Sequence, residues 1–237
     1  LPGVPNLQLD DANIAGLFLG TITNWNDPSI AANNPGVTLP DLAVTVVHRS
    51  DGSGTTNAFT SFLDTVSPDW HSKVGAGKEV DWPTGIGAQG NDGVAASVKQ
   101  TEGSVGYVEL NYATTVGLTS ASVKNADGNF VAGSTAGVTA AAEAAVAGFP
   151  SDFRQAPIIN GAGKDTYPIA SYTYLLIYQE QTDATKGQAL VSYAAWCLTE
   201  GQADEEGLGY APLPAEIQQK SIDLLRTVTS GGSPIWP

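Results

Sequence analysis

One stretch, His48-Arg49-Ser50-Asp51-Gly52-Ser53-Gly54-Thr55-Thr56, constrains this chain more than any other. The β-branched run Val44-Thr45-Val46-Val47 leads into it, and the apolar-periodic segment Ala58-Phe59-Thr60-Ser61-Phe62-Leu63 leads out. That pattern predicts a strand, a glycine turn and a helix in succession. Such a turn sets unpaired backbone N–H groups at a helix start, where the helix dipole also favours negative charge. The hydroxyls of Ser53, Thr55 and Thr56 add donors, and Arg49 adds a planar cationic fork suited to a tetrahedral oxyanion. A turn that merely caps a helix needs one hydroxyl. This one gathers Arg49, Asp51, Ser53 and two threonines within eight residues. It reads as an anion cradle.

The 237-residue chain carries a net charge of −14, which argues against nucleic acid or an anionic membrane surface as the main partner. An anion ligand is still compatible with that charge. A buried ligand responds to nearby dipoles and hydrogen bonds more than to distant, screened surface charge. Apolar residues make up 42% of the chain, enough for a core. Cys197 is the sole cysteine, so neither an intrachain disulfide nor a cysteine zinc cluster can form. Its apolar setting, Tyr193-Ala194-Ala195-Trp196-Cys197-Leu198, predicts a buried structural thiol. Two isolated histidines, His48 and His71, offer no clustered metal ligands, and neither a metal nor a cofactor is expected. The chain has no methionine and opens on Leu1-Pro2-Gly3-Val4-Pro5, which reads as a processed product or a fragment. It shows no basic-apolar signal peptide and no apolar run long enough to span a bilayer.

Along the chain, strands and helices alternate, which predicts an α/β fold. Leu7-Gln8-Leu9 is a strand candidate, Ala12 to Leu19 a helix ending at Gly20, and Ser29 to Ala32 a short helix after the turn Asn24 to Pro28. Leu42 to Val47 delivers the cradle, Thr56 to Val66 leaves it, and Ser67-Pro68-Asp69-Trp70 starts another short helix. Asn91-Asp92 caps a helix through Val98, and Gly103 to Glu109 holds a second strand before the helix-like Leu110 to Thr115. Asp127-Gly128 marks a hairpin apex, and Ser134 to Ala147 is alanine-rich and helical. Beyond a composition change at Gly161-Ala162-Gly163-Lys164, Tyr167-Pro168-Ile169 and Tyr172 to Tyr178 read as strands, Thr185 to Leu198 as an amphipathic helix, and Ala215 to Thr227 as a last helix.

Gly85-Ile86-Gly87-Ala88-Gln89-Gly90 matches the dinucleotide pattern G-x-G-x-x-G letter for letter. The fingerprint requires an apolar strand just before it, and here Asp81-Trp82-Pro83-Thr84 stands in that place. A flexible glycine loop at the edge of a ligand cleft is the prediction. The cradle lacks the lysine of a nucleotide P-loop, and Asp51 replaces the first glycine of G-x-S-x-G. A hydrolase using Ser53, with His48 or His71 as base, is the rival reading. Strand alternation opposes it, because His48 and Arg49 side chains point to opposite faces. Core or domain-edge packing is predicted for Trp25, Trp70, Trp82, Trp196 and Trp236, which follow no pattern.

Arg49 to Thr56 closely resembles the phosphate-binding segment of the substrate-binding proteins of phosphate ABC transporters. The likeness extends through Leu19-Gly20-Thr21-Ile22-Thr23-Asn24-Trp25-Asn26-Asp27, Asn34-Pro35-Gly36, Lys78 to Asn91, Gly103-Ser104-Val105-Gly106-Tyr107-Val108-Glu109 and Tyr210-Ala211-Pro212-Leu213-Pro214. The resemblance implies a periplasmic-binding-protein-like fold of class II type, two α/β lobes with one phosphate between them. It implies phosphate contacts from Arg49, Ser53, Gly54 and Thr55, with Asp51 orienting Arg49. It also implies inorganic phosphate as ligand, a membrane permease as partner, no nucleic acid, no catalytic residue, and a periplasmic or cell-surface location, lipid-anchored in one version. The alternative is another tetrahedral oxyanion, or a Ser53-dependent phosphatase or hydrolase.

Family chains carry a further N-terminal segment ahead of the residues matching Leu1 to Pro5, with a Thr-Phe turn, a serine at a helix start and a cleft aspartate. On that comparison residues 1–165 form the second lobe with the cradle, and residues 166–237 the C-terminal part of an incomplete first lobe. Weak phosphate binding by the chain alone is expected, since half the family's donors lie outside it.

Overall fold

The computed structural model describes residues 1, 3–154 and 157–236. The first helix, α1 (Asp11–Leu19), follows the short strand β1 (Gln8–Leu9) and starts on a capping box between Asp10 and Asn13. It stops at Gly20, whose left-handed backbone (φ 72°) turns the chain out of the helix. A second helix, α2 (Pro28–Asn33), has proline at its first turn and the Asp27 carboxylate on the Ser29 N–H.

Val46 and Val47 are adjacent in sequence and both sealed from solvent, which requires a strand covered on both faces. They lie in β2 (Thr45–Arg49), which starts later than the apolar run alone implies and continues through Arg49. Helices α3 (Gly54–Val66) and α4 (Pro68–Lys73) follow, then β3 (Ile86–Ala88), α5 (Gly90–Gln100) and β4 (Ser104–Gly106). The three strands form a parallel sheet in the order β3-β2-β4. Parallel neighbours need crossover connections, and these helices supply them. The register places Arg49 beside Ala88, and Val47 between Ile86 and Gly106. The glycine-rich segment before Asn91 is therefore a strand and not only a loop. It lies at the sheet edge, the position that a nearby proline such as Pro83 allows.

The chain continues through α6 (Leu110–Val116), the hairpin β5 (Ser122–Lys124) and β6 (Phe130–Val131), α7 (Thr135–Ala145), and the antiparallel pair β7 (Ile158–Ile159) and β8 (Ile169–Ala170). β1 joins the hairpin as a parallel partner of β5. The remaining elements are α8 (Ala184–Leu198), α9 (Gln202–Glu205), α10 (Ala215–Leu225) and the antiparallel pair β9 (Thr229–Ser230) and β10 (Ser233–Pro234).

The main core gathers Phe18, Phe59, Phe62, Leu63, Trp25 and Trp70 around α1 and α3. Phe18 meets Phe59 edge-on at 4.6 Å, and Phe59 stacks on Tyr107 at 4.5 Å, so the helix leaving the cradle is pinned by aromatic packing. A separate cluster, Val191, Ala194, Leu225 and Val228, joins α8 to α10.

Three expectations for the C-terminal part are corrected. Tyr172 to Tyr178 does not form a strand: it has no ladder partner among the described residues, and Leu176 is 95% exposed. A strand-like composition cannot make a strand without a neighbour to bond to. α8 buries Gly187, Val191 and Ala194 but leaves Leu190, Tyr193 and Trp196 exposed, so its apolar side is only partly covered. Cys197 on the same helix is half-buried rather than sealed.

The indole Nε1–H of Trp25 donates to the Gly103 carbonyl at 2.8 Å, tying the turn after α1 to the residue that opens β4. That carbonyl also accepts from the Thr45 N–H. Trp25→Phe removes one of the two bonds and should cost about 1–2 kcal/mol in urea unfolding, with the slope of the transition unchanged.

Candidate functional site

Ser53 starts α3 as its N-cap, its Oγ accepting the Thr56 N–H at 3.2 Å. The next two N–H groups, of Gly54 and Thr55, have no acceptor within the helix by geometry alone. Both residues line a cleft of about 760 Å³, together with Arg49 and Asn91. Tyr172 and Tyr210 also line this cleft.

Arg49 ends β2 with its side chain only 11% exposed. Its Nε donates to Asp51 Oδ1 at 2.8 Å and its Nη2 to Asp51 Oδ2 at 2.6 Å, the parallel pairing of a guanidinium with a carboxylate. Its Nη1 donates to Asn91 Oδ1 at 3.1 Å. Asp51 Oδ1 also accepts the Gly90 N–H at 3.0 Å, the first amide of α5. One carboxylate thus serves an arginine and a helix start together. The hydrogen bonds from Arg49, then that from Gly90, hold the Asp51 carboxyl well below the usual carboxylate range. Asp51 in turn raises the Arg49 pKa, so both groups are charged at any physiological pH.

Tyr107 supports the cradle from beneath. Its hydroxyl accepts the Arg49 N–H at 3.1 Å and lies 2.7 Å from Thr56 Oγ1. Burial pushes the phenol pKa up, so it stays a neutral donor and acceptor. The Thr56 hydroxyl, counted among the ligand donors from sequence, is turned inward to Tyr107 and is sealed from solvent. Arg49, Ser53, Gly54 and Thr55 face the cleft, with Asp51 paired to the guanidinium. Sequence reasoning missed Tyr107 and Asn91 as members of this group. They come from positions 58 and 42 residues from Arg49, and only the parallel register brings them close.

The two histidines lie elsewhere. His48 stacks on Trp82 at 4.8 Å and its Nδ1 donates to the Arg49 carbonyl, while His71 pairs with Asp64 on the surface. Among the described residues no group of three or more His, Cys, Asp or Glu could hold a metal ion, and no helix is long and apolar enough to cross a membrane.

A family model for the PBP superfamily domain matches residues 2–200. Phosphate-binding protein PstS of Pasteurella multocida is 40% identical over 233 residues, covering 97% of this chain and 67% of that protein. The chain belongs to the PBP superfamily, in its PstS family. Its PstS relative from Xylella fastidiosa (strain Temecula1) is 41% identical over 211 residues, 89% of this chain. The chain spans 58% of the length of that relative. A phosphate-binding protein from Stenotrophomonas maltophilia superposes with a TM-score of 0.68 at 20% identity, over 95% of this chain and 68% of its own. A periplasmic phosphate-binding protein solved bound with phosphate gives 0.65 at 21% identity, over 92% of this chain and 65% of its own. These superpositions establish the α/β fold of the family for this chain.

Within this PstS-family cradle, Tyr107→Phe removes the one hydroxyl that meets both Arg49 and Thr56. The buried Thr56 hydroxyl loses its partner, and a loss of about 1–3 kcal/mol is expected in chemical denaturation, with the aromatic stack on Phe59 kept.

Proposed function

We propose that this chain recognises inorganic phosphate as the substrate-binding component of a phosphate ABC transporter, outside the cytoplasm, and passes it to a membrane permease. The observation that carries the reading is the open start of α3 beside an arginine held flat by Asp51. Arg49, Ser53, Gly54 and Thr55 would contact the anion from one side, and Asp51 would hold Arg49 in place. The names of the relatives and the phosphate in one structural neighbour support the choice of ligand.

In this mechanism no bond is made or broken. A phosphate oxygen replaces water at N–H groups that are already oriented, so little reorganisation is needed on binding. The Arg49–Asp51 pair supplies direction with its charge largely offset, which leaves neutral donors to do most of the recognition. We take residues 1–165 as the lobe that carries the cradle and residues 166–237 as part of the other lobe. The separate α8–α10 cluster supports a distinct C-terminal part, while the β7–β8 pair crosses from one side of residue 165 to the other; closure of the lobes would exclude water from the anion. A surface-attached form of the protein is compatible with this role.

Isothermal titration with inorganic phosphate tests the reading. Saturable binding lost in Arg49→Ala, and weakened tenfold or more in Ser53→Ala, is the expected result. Turnover of a chromogenic phosphate ester that disappears in Ser53→Ala would instead establish the hydrolase reading.

The pH dependence follows from the Asp51 shift. A depressed carboxyl contributes its pairing fully above the ordinary carboxylate value of about 3.9 and loses it only as pH falls through the lower folded value. Between about pH 5 and 9 the affinity should therefore follow only the ionisation of phosphate itself. A protein-derived inflection in titrations across that range would contradict the assigned site.

A further inference from the structure

The G-x-G-x-x-G run carries an edge strand and ends on the carboxylate that holds the Arg49 guanidinium. Gly90 has φ +70°, a left-handed backbone that favours glycine at that corner. This backbone aims the Gly90 N–H at Asp51. The next residue, Asn91, is 8% exposed, and its Oδ1 accepts from Arg49 Nη1. A guanidinium can only donate, so the orientation of the Asn91 carboxamide is dictated: oxygen toward Arg49.

The donors can be counted. Of the five N–H groups of Arg49, two go to Asp51 and one to Asn91, which leaves two for a ligand. Asp51 holds a single edge of the fork, from the turn two residues beyond Arg49. Asn91 holds the other end from a different element, the first turn of α5, where its own side chain is buried. It does this without charge. A carboxylate at the same place would fix the geometry but put a second negative group on the one cation of the cradle.

We propose that Asn91 is a positioning residue for anion recognition: it locks the guanidinium plane of Arg49 so that its two unused N–H groups meet the ligand bound at Gly54 and Thr55. This rests on the phosphate-binding reading above. The G-x-G-x-x-G run is then a device for presenting Gly90 and Asn91 to the Asp51–Arg49 pair, with no nucleotide involved.

The test uses the whole chain and inorganic phosphate, with two variants and two measurements. Isothermal titration should show phosphate affinity falling about tenfold in Asn91→Ala and further in Asn91→Asp, with thermal midpoints within a few degrees of the parent chain. Nitrogen NMR of the Arg49 guanidinium supplies the readout that a purely structural role would not move. Rotation about the Cζ–Nη1 bond should become fast in Asn91→Ala, which has lost the acceptor, and stay slow in Asn91→Asp, which keeps one. Geometry and charge are thereby separated. If Asn91→Ala binds within twofold of the parent while Arg49→Ala does not bind, Asn91 plays no positioning part and the phosphate reading stands. If millimolar phosphate shifts neither the Gly54 and Thr55 amides nor Arg49 in the parent chain, the phosphate reading falls and this inference with it.

Discussion

A helix cannot satisfy its own first amides, and the architecture of this chain turns on how that shortage is met at two neighbouring helix starts. At α5 the first amide is satisfied from inside, because Asp51 accepts the Gly90 N–H. At α3 it is left open, with Ser53 closing only the Thr56 N–H. The protein thus sets one internal anion beside a helix start capped by Ser53 alone, with Arg49 between them. The internal carboxylate prevents the arginine from folding over the open helix start, since its strongest bonds already point to Asp51.

Selecting a small anion also needs donors that cannot adapt to the wrong guest. Here rigidity comes from packing on the far side of the cradle. Phe59, one turn into α3, is stacked on Tyr107, and Tyr107 reaches back to the Arg49 amide and the Thr56 hydroxyl. The apolar core and the polar site therefore share a residue. An acidic chain of net charge −14 can host an anion on these terms because the donors act at hydrogen-bond range, where the screened surface field has little say.

Local features were legible in the sequence. The cap and stop of α1, the proline start of α2, the strand into the cradle and the helix out of it are written in adjacent residues. The pairing of Arg49 with Asp51 was implied by the family resemblance, and their two-residue spacing agrees with it. What the sequence hid depends on pairing at a distance. Nothing near Ile86 announces a strand, because β3 is short and becomes one only by lying along β2. The reverse holds at Tyr172 to Tyr178, where strand-forming residues join no ladder among the described residues. Thr56 was misread for the same reason: a hydroxyl at a helix start looks available until its partner arrives from residue 107.

The parallel register of β2 against β3, which sets Arg49 beside Ala88, carries a further consequence. Side chains in a strand alternate faces, so slippage by one residue would turn the guanidinium away from Asn91 and bring His48 round in its place. Such a misregistered sheet would bury nearly the same apolar surface, Val46 and Val47 being interchangeable in size. The polar bonds that cross between the two segments, Arg49 to Asn91 and Gly90 to Asp51, distinguish the two alignments. The polar network of the cradle is in this sense also the alignment key of its own scaffold.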